Sequence, residues 1–198
     1  MSWRVIGSVL LGVVTGYWLL PPQRVAVLDN ITTASLCLLL FGVGLDLGSR
    51  RDTWRRIPVL GPQALMVPVL VAAGSLAGAM AGGVFLGLPL NEAGAIGAGF
   101  GWYSLSGVLL SKIYSVQTGT LAFLTNVMRE LLAFLLIPPL AARLGKLAAV
   151  APGGATTMDT TLPLIARVTD ADTAVIALIN GSLLSALVPV LVPLLIRL

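Results

Sequence analysis

The sequence predicts an all-α integral membrane protein. Of its 198 residues 57% are hydrophobic and only 10% are charged, against about 25% charged in a soluble domain. Mean hydropathy is +0.99. Apolar windows follow one another along nearly the whole chain, so residues 1–198 read as a single membrane transport domain. The 22 glycines and 12 prolines suit close helix packing and helices broken inside the bilayer.

Seven apolar segments follow in order: 4–20, 30–48, 58–86, 91–112, 118–142, 149–168 and 173–196. The opening MSWR and its apolar run have the look of a secretory leader. The run ends in Tyr17, Trp18, Pro21 and Pro22 without a small-residue cleavage pattern, so an uncleaved first span is expected. Segment two ends at Asp46, one turn before Arg50, with which it is expected to pair at the surface. Arg50, Arg51, Arg55 and Arg56 then crowd one short loop, the signature of a cytoplasmic loop. In the third segment Gly74, Gly78 and Gly82 recur every fourth residue, as Gly12 and Gly16 do in the first. Such spacing lets membrane helices approach closely.

The fourth and sixth segments do not read as continuous helices. GAIGAGFGWYSLSGV (94–108) and APGGATTMDTTLP (151–163) are rich in Gly, Ser and Thr, and the second has proline near each end. Helix propensity is poor there. Irregular backbone at membrane depth persists only inside protein or beside a watery cavity, and a pair of such segments points to a transporter site. Five full spans and two re-entrant or broken helical segments are therefore expected. If neither broken segment crosses, Arg4, the four-arginine loop, Arg143, Lys146 and Arg167 lie inside, with Arg24, Lys112 and Arg197 outside. If both cross, Arg143 and Lys146 move outside. The first arrangement concentrates more positive charge inside, giving N-terminus in and C-terminus out.

The net charge of +4 is carried largely by that loop and does not indicate nucleic-acid binding. One cysteine, Cys37, and no histidine leave no intrachain disulfide and no common metal cluster. Haem, iron–sulfur and zinc roles are not expected, nor is any cofactor. Cys37 and the methionines read as apolar packing, and Glu92, Asp170 and Asp172 as solvated loop-end groups. No Ser–His–Asp or Cys–His set supports an enzyme.

The chemistry concentrates in three places. Asn126, Arg129 and Glu130 lie near the middle of the fifth segment, where an ionised side chain costs at least about 2.5–3.5 kcal/mol on insertion scales. Asn126 and Glu130, four apart, share a helix face; Arg129 points about 100° away and pairs with another carboxylate or with backbone carbonyls. A buried ion pair that only fixes helix register is the alternative. The second place holds Gly153, Gly154, Thr156, Thr157, Asp159, Thr160 and Thr161. Its hydroxyls and carboxylate are hard oxygen ligands for a small cation or an ammonium group, Na+ at Asp159 and Thr157 among them. The alternative is a capped helix start, with Thr156 or Thr157 as N-cap and Asp159 in the first turn. The third place is Trp102, Tyr103, Ser104 and Ser106, where aromatic faces beside hydroxyls suit the stem and head of a cationic amino acid. An interfacial aromatic belt is the competing reading. A phosphate loop is not supported, since its lysine and strand are missing.

GFGWYSLSG (99–107), NVMRELLAFLLIP (126–138) and GGATTMDTTLPL (153–164), with the RVIGSVLLGVVTGYWL opening and FGVGLDL, resemble the LysO family of bacterial and archaeal lysine exporters. The resemblance runs in order over most of the chain. It implies export of L-lysine and toxic basic analogues across the cytoplasmic membrane, in exchange for H+ or Na+. It also implies a fold related to cation antiporters and anion transporters with discontinuous crossing helices. The family's two intramembrane acids fall on Glu130 and Asp159. Longer members carry further helices ahead of the matching region, which implies a homodimer or pairing with a separately encoded short subunit. The expected mechanism is alternating access around these two acids. A Na+/H+-type antiporter or channel with no amino-acid substrate is the competing reading, and a non-transporting scaffold a third.

Overall fold

The computed structural model describes residues 7, 11, 14, 15, 25–49, 51, 55 and 57–198. Most of the expected first span, Gly12 and Gly16, and the side chains of Arg4, Arg24, Asp46, Arg50 and Arg56 lie outside the described residues. Every regular element among the described residues is helical. The chain divides into two compact units, Met1–Leu45 and Asp46–Leu198.

In the first unit α1 begins; it runs Val25–Ser49 and covers the second expected segment. Ile31, Leu38, Phe41 and Leu45 are exposed along it, an apolar exterior suited to lipid. Cys37 is exposed too, so it does not pack into a core as expected.

The second unit holds the other elements. The short α2 (Ile57–Leu60) stops at Gly61, whose φ of +73° a residue with a side chain rarely adopts. Beyond it α3 (Gln63–Phe85) starts behind Pro62, so the expected 58–86 segment is two helices. The fourth segment is broken as expected, into α4 (Leu90–Gly97) and α5 (Tyr103–Ile113). Next, α6 (Val116–Leu144) opens on Ser115, whose hydroxyl accepts from the Thr118 N–H at 3.1 Å, an N-cap. The sixth segment is three short pieces: 3-10 turns Leu147–Val150 and Gly154–Met158, then α7 (Leu162–Val168). Finally α8 (Ala171–Leu195) starts at Asp170, which caps the Thr173 N–H at 2.9 Å.

Helices α3, α6 and α8 are long and apolar enough to cross a membrane. Their 23, 29 and 25 residues rise about 1.5 Å each, against a hydrocarbon core of about 30 Å. Outward apolar residues such as Val69, Leu124, Leu135 and Val190 fit that setting. The interior mixes alanines with branched aliphatic residues. Ala133 and Ile137 of α6, Ala149 and Val150, Ile165 of α7 and Ala177 of α8 form one buried cluster.

Glycine contacts fall elsewhere than the four-residue spacing suggests. A Cβ on Gly74, Gly78 or Gly82 would meet nothing within 4 Å; that stripe faces outward. Close approach occurs at Gly83 against Ala93, Gly97 against Ala79, Gly107 against Phe123 and Gly119 against Ser111. These bring α4 onto α3 and α5 onto α6. Glu92 joins the two pairs: it accepts from the Tyr114 hydroxyl at 3.0 Å and the Thr118 hydroxyl at 2.8 Å. It is a half-buried tie rather than the solvated loop-end group expected.

Gly119→Ala places a methyl group on Ser111 and should destabilise the fold by about 1–3 kcal/mol, the usual cost of overpacking. Gly78→Ala meets open space and should be near neutral. Melting temperatures of both variants in detergent check this.

Candidate functional site

The two broken segments meet at their breaks. In the first, Phe100 takes φ +48° and Gly101 +100°; in the second, Gly154 takes +58°. Phe100 is fully buried, and a left-handed conformation costs a residue with a Cβ roughly 1–2 kcal/mol. It is held there from both sides. The Phe100 carbonyl accepts from the Ala155 N–H at 2.8 Å, one backbone hydrogen bond from break to break. The next N–H, on Gly101, donates to Asn126 Oδ1 at 2.6 Å. Gly154 has to be glycine for room as well as φ, because a Cβ there would strike the Phe100 carbonyl and the Arg129 guanidinium.

Asn126, 2% exposed, serves the first break with its whole side chain. Its Nδ2 lies 2.9 Å from the Ala122 carbonyl, 3.2 Å from that of Ile96 and 3.3 Å from Ser106 Oγ. Ser106, also buried, donates to the Trp102 carbonyl at 2.9 Å. Both residues were expected as ligands; the structure places them as supports of the 98–102 turn. Arg129 serves the second break. Its Nε donates to the Pro152 carbonyl at 3.1 Å and its Nη2 to that of Ala151 at 3.3 Å, while Nη1 reaches Ser75 Oγ on α3 at 2.5 Å. Of the partners expected for it, backbone carbonyls are the ones found. A groove of about 550 Å³ along this α6 face is lined by Arg129, Thr125, Met128 and Pro152; Glu130 is not in its lining.

Glu130 points elsewhere, as the 100° turn requires. Its half-buried carboxylate and that of Asp159 are close enough to act on each other, and both act on the Tyr103 hydroxyl; Thr160 lies beside Glu130. Asp159 is exposed and accepts from the Thr160 N–H at 2.5 Å. Tyr103 rests edge-on against Phe123, ring centroids 5.4 Å apart. A residue after the first break, one on α6 and one after the second break are thus linked through their charges. Trp102 is half-buried and Ser104 exposed beside them.

The threonines are turned inward. Thr156 donates to the Gly153 carbonyl at 2.8 Å and lies 3.2 Å from Thr161 Oγ1. Thr157, fully buried, is 2.8 Å from the Gly154 carbonyl and 2.7 Å from that of Ala177. It is the floor of the break. The capped helix start does not form here: Thr156 and Thr157 lie within a 3-10 turn, Asp159 ends it, and the next helix begins at Leu162. Among the described residues no group of three His, Cys, Asp or Glu could hold a metal.

Two contributors escaped the sequence reading. Asn180 on α8, fully buried, donates to the Gly154 carbonyl at 2.9 Å and to Thr157 Oγ1 at 3.0 Å. Its signal was available, an amide in the apolar run IALINGSLL. Ser75 had none, since VAAGSLAGAM reads as small-residue packing.

Three helices among the described residues are long and apolar enough to span a bilayer, and two broken segments cross beside them, the architecture of a multi-pass membrane protein. Residues 6–196 match the family model for the lysine exporter LysO, and the chain belongs to that family. The lysine exporter LysO of Escherichia coli is 39% identical over 194 residues, covering 96% of this chain and 62% of that protein. A relative from Haemophilus influenzae is 31% identical over 192 residues, covering 95% and 94%. The chain thus spans about 62% of the length of the first. No solved structure matches it.

Between the ends of α6 and α8, outside both helices, Lys146 Nζ lies 2.6 Å from Asp170 Oδ2. That ammonium, with the Thr173 cap, holds the Asp170 carboxyl well below the usual aspartate range. A depressed pKa means stability present above the ordinary value and lost as pH falls below it. Thermal stability should therefore drop below about pH 4, and Asp170→Asn should flatten that part of the profile. Separately, Asn126→Leu leaves the Gly101 N–H buried without an acceptor and should cost about 1–3 kcal/mol or more, read as a lowered melting temperature.

Proposed function

We propose that the chain exports L-lysine and basic analogues across the cytoplasmic membrane of a bacterium or archaeon, by alternating access, in exchange for H+ or Na+. The reading rests on one observation above the rest: two broken segments cross, joined from the Ala155 N–H to the Phe100 carbonyl, with Glu130 and Asp159 on the elements that flank the crossing. Ionisable groups at membrane depth mark solute and ion pathways. Two carboxylates facing one space attract one cation at a time. Lysine's ammonium group and the coupling ion compete for them, and competition makes the exchange obligatory. Tyr103, with Trp102 and Ser104 nearby, lines the space for the lysine stem. The name of the E. coli relative supports lysine as the substrate.

In this proposal residues 1–198 act as one transport domain with five full spans. The two broken segments enter and return without crossing, and the fold is related to cation antiporters and anion transporters. The N-terminus lies inside and the C-terminus outside. The working unit is a homodimer or a pair with a separately encoded short subunit.

Glu130→Gln and Asp159→Asn should each reduce lysine uptake into inverted vesicles to the level of empty vesicles, with normal insertion. Uptake surviving in both variants would remove the carboxylates from the mechanism. Imposed pH and Na+ gradients, applied separately, identify the coupling ion. Ion flux without lysine counterflow would favour a cation antiporter instead.

A further inference from the structure

Arg129 spends its charge on the protein's own backbone, and where it does so is informative. The Ala151 and Pro152 carbonyls lie between two 3-10 turns, where no helix continues to supply them with donors. A guanidinium carries five N–H donors in a rigid fork, and Arg129 directs two of its nitrogens at that pair. Its third contact, Ser75 Oγ, in turn lies 3.4 Å from the Gly97 carbonyl at the end of α4. The first break begins there. Arg129 therefore touches the second break directly and the first through Ser75. The side-chain carbon of Arg129 also lies 3.7 Å from where a Cβ on Gly101 would stand.

We propose that Arg129 is a positioning residue. It locks the two breaks and α3 into one register, so that Tyr103, Glu130 and Asp159 face one another, and it does not touch the transported molecule. The proposal rests on the lysine-export reading for its transport arm only. A ligand role makes a different forecast, because an arginine in contact with lysine would bind the α-carboxylate.

Two measurements on the intact, reconstituted chain separate these roles. The first is uptake of lysine and of lysine methyl ester, whose carboxylate is blocked. Arg129→Lys, which keeps the charge and loses the fork, should lower uptake of both compounds about tenfold. Arg129→Gln should lower both further, and Ser75→Ala should lower both by about three- to tenfold, since one contact of the set is lost. A loss confined to lysine, with the ester unaffected, would overturn positioning in favour of direct binding. Full activity in Arg129→Lys and Arg129→Gln would also overturn it.

The second measurement is amide hydrogen exchange, which needs no transport. Arg129→Lys and Ser75→Ala should speed exchange in peptides covering both 98–104 and 151–161, leaving the middle of α8 unchanged. Unaltered exchange at both breaks sinks the proposal whatever the protein carries. If wild-type vesicles take up no lysine while the exchange pattern appears, the export reading fails and the positioning role stands. If Arg129→Gln does not insert, Arg129→Lys and Ser75→Ala decide the matter.

Discussion

Backbone polar groups inside a bilayer have to find partners within the protein, because no water is there to take them. Two apolar segments of this chain are interrupted, and much of the centre of the second unit follows from the need to satisfy their ends. The breaks are placed against each other, and Phe100 and Ala155 exchange one hydrogen bond between them. What that bond leaves over is met from α6 and α8. Asn126 takes the Gly101 N–H, Arg129 the Ala151 and Pro152 carbonyls, and Asn180 the Gly154 carbonyl. Asn126, Arg129 and Asn180 therefore support the fold. The charges of Glu130 and Asp159 act instead on the Tyr103 hydroxyl.

That division separates residues which a sequence shows as one polar cluster. Asn126, Arg129 and Glu130 lie within five positions, yet Arg129, about 100° round the helix, serves the second break while Asn126 serves the first. The broken character of 94–108 and 151–163 was legible, because glycine, serine and threonine runs cannot sustain a helix amid apolar neighbours. Three of the long helices were legible from length and hydropathy. The pairing of Glu130 with Asp159 came from the family resemblance alone, since nothing in the pattern of either segment relates two acids twenty-nine positions apart.

Other features were hidden for physical reasons. Whether a threonine hydroxyl faces a cavity or a carbonyl depends on tertiary placement: Thr156 and Thr157 fill their own turn and the Ala177 carbonyl. The four-residue glycine spacing in α3 was a poor guide, since Gly83 and Gly97 make the tight contacts while Gly74, Gly78 and Gly82 face out. Spacing records which residues share a stripe; it does not say which stripe has a neighbour. Ser75 could not be singled out at all, because its importance comes entirely from an arginine fifty-four positions away.

Consider α6 as a mechanical part. At Asn126 it is fastened to one break, at Arg129 to the other and to α3, and at Gly119 it is wedged against α5. A rod clamped on three sides cannot spin about its own axis without tearing every clamp together. Any motion of α6 therefore has to carry both interrupted segments with it as a single cartridge. Gly61 and Gly145 stand outside the clamps, left-handed glycines with empty space around them.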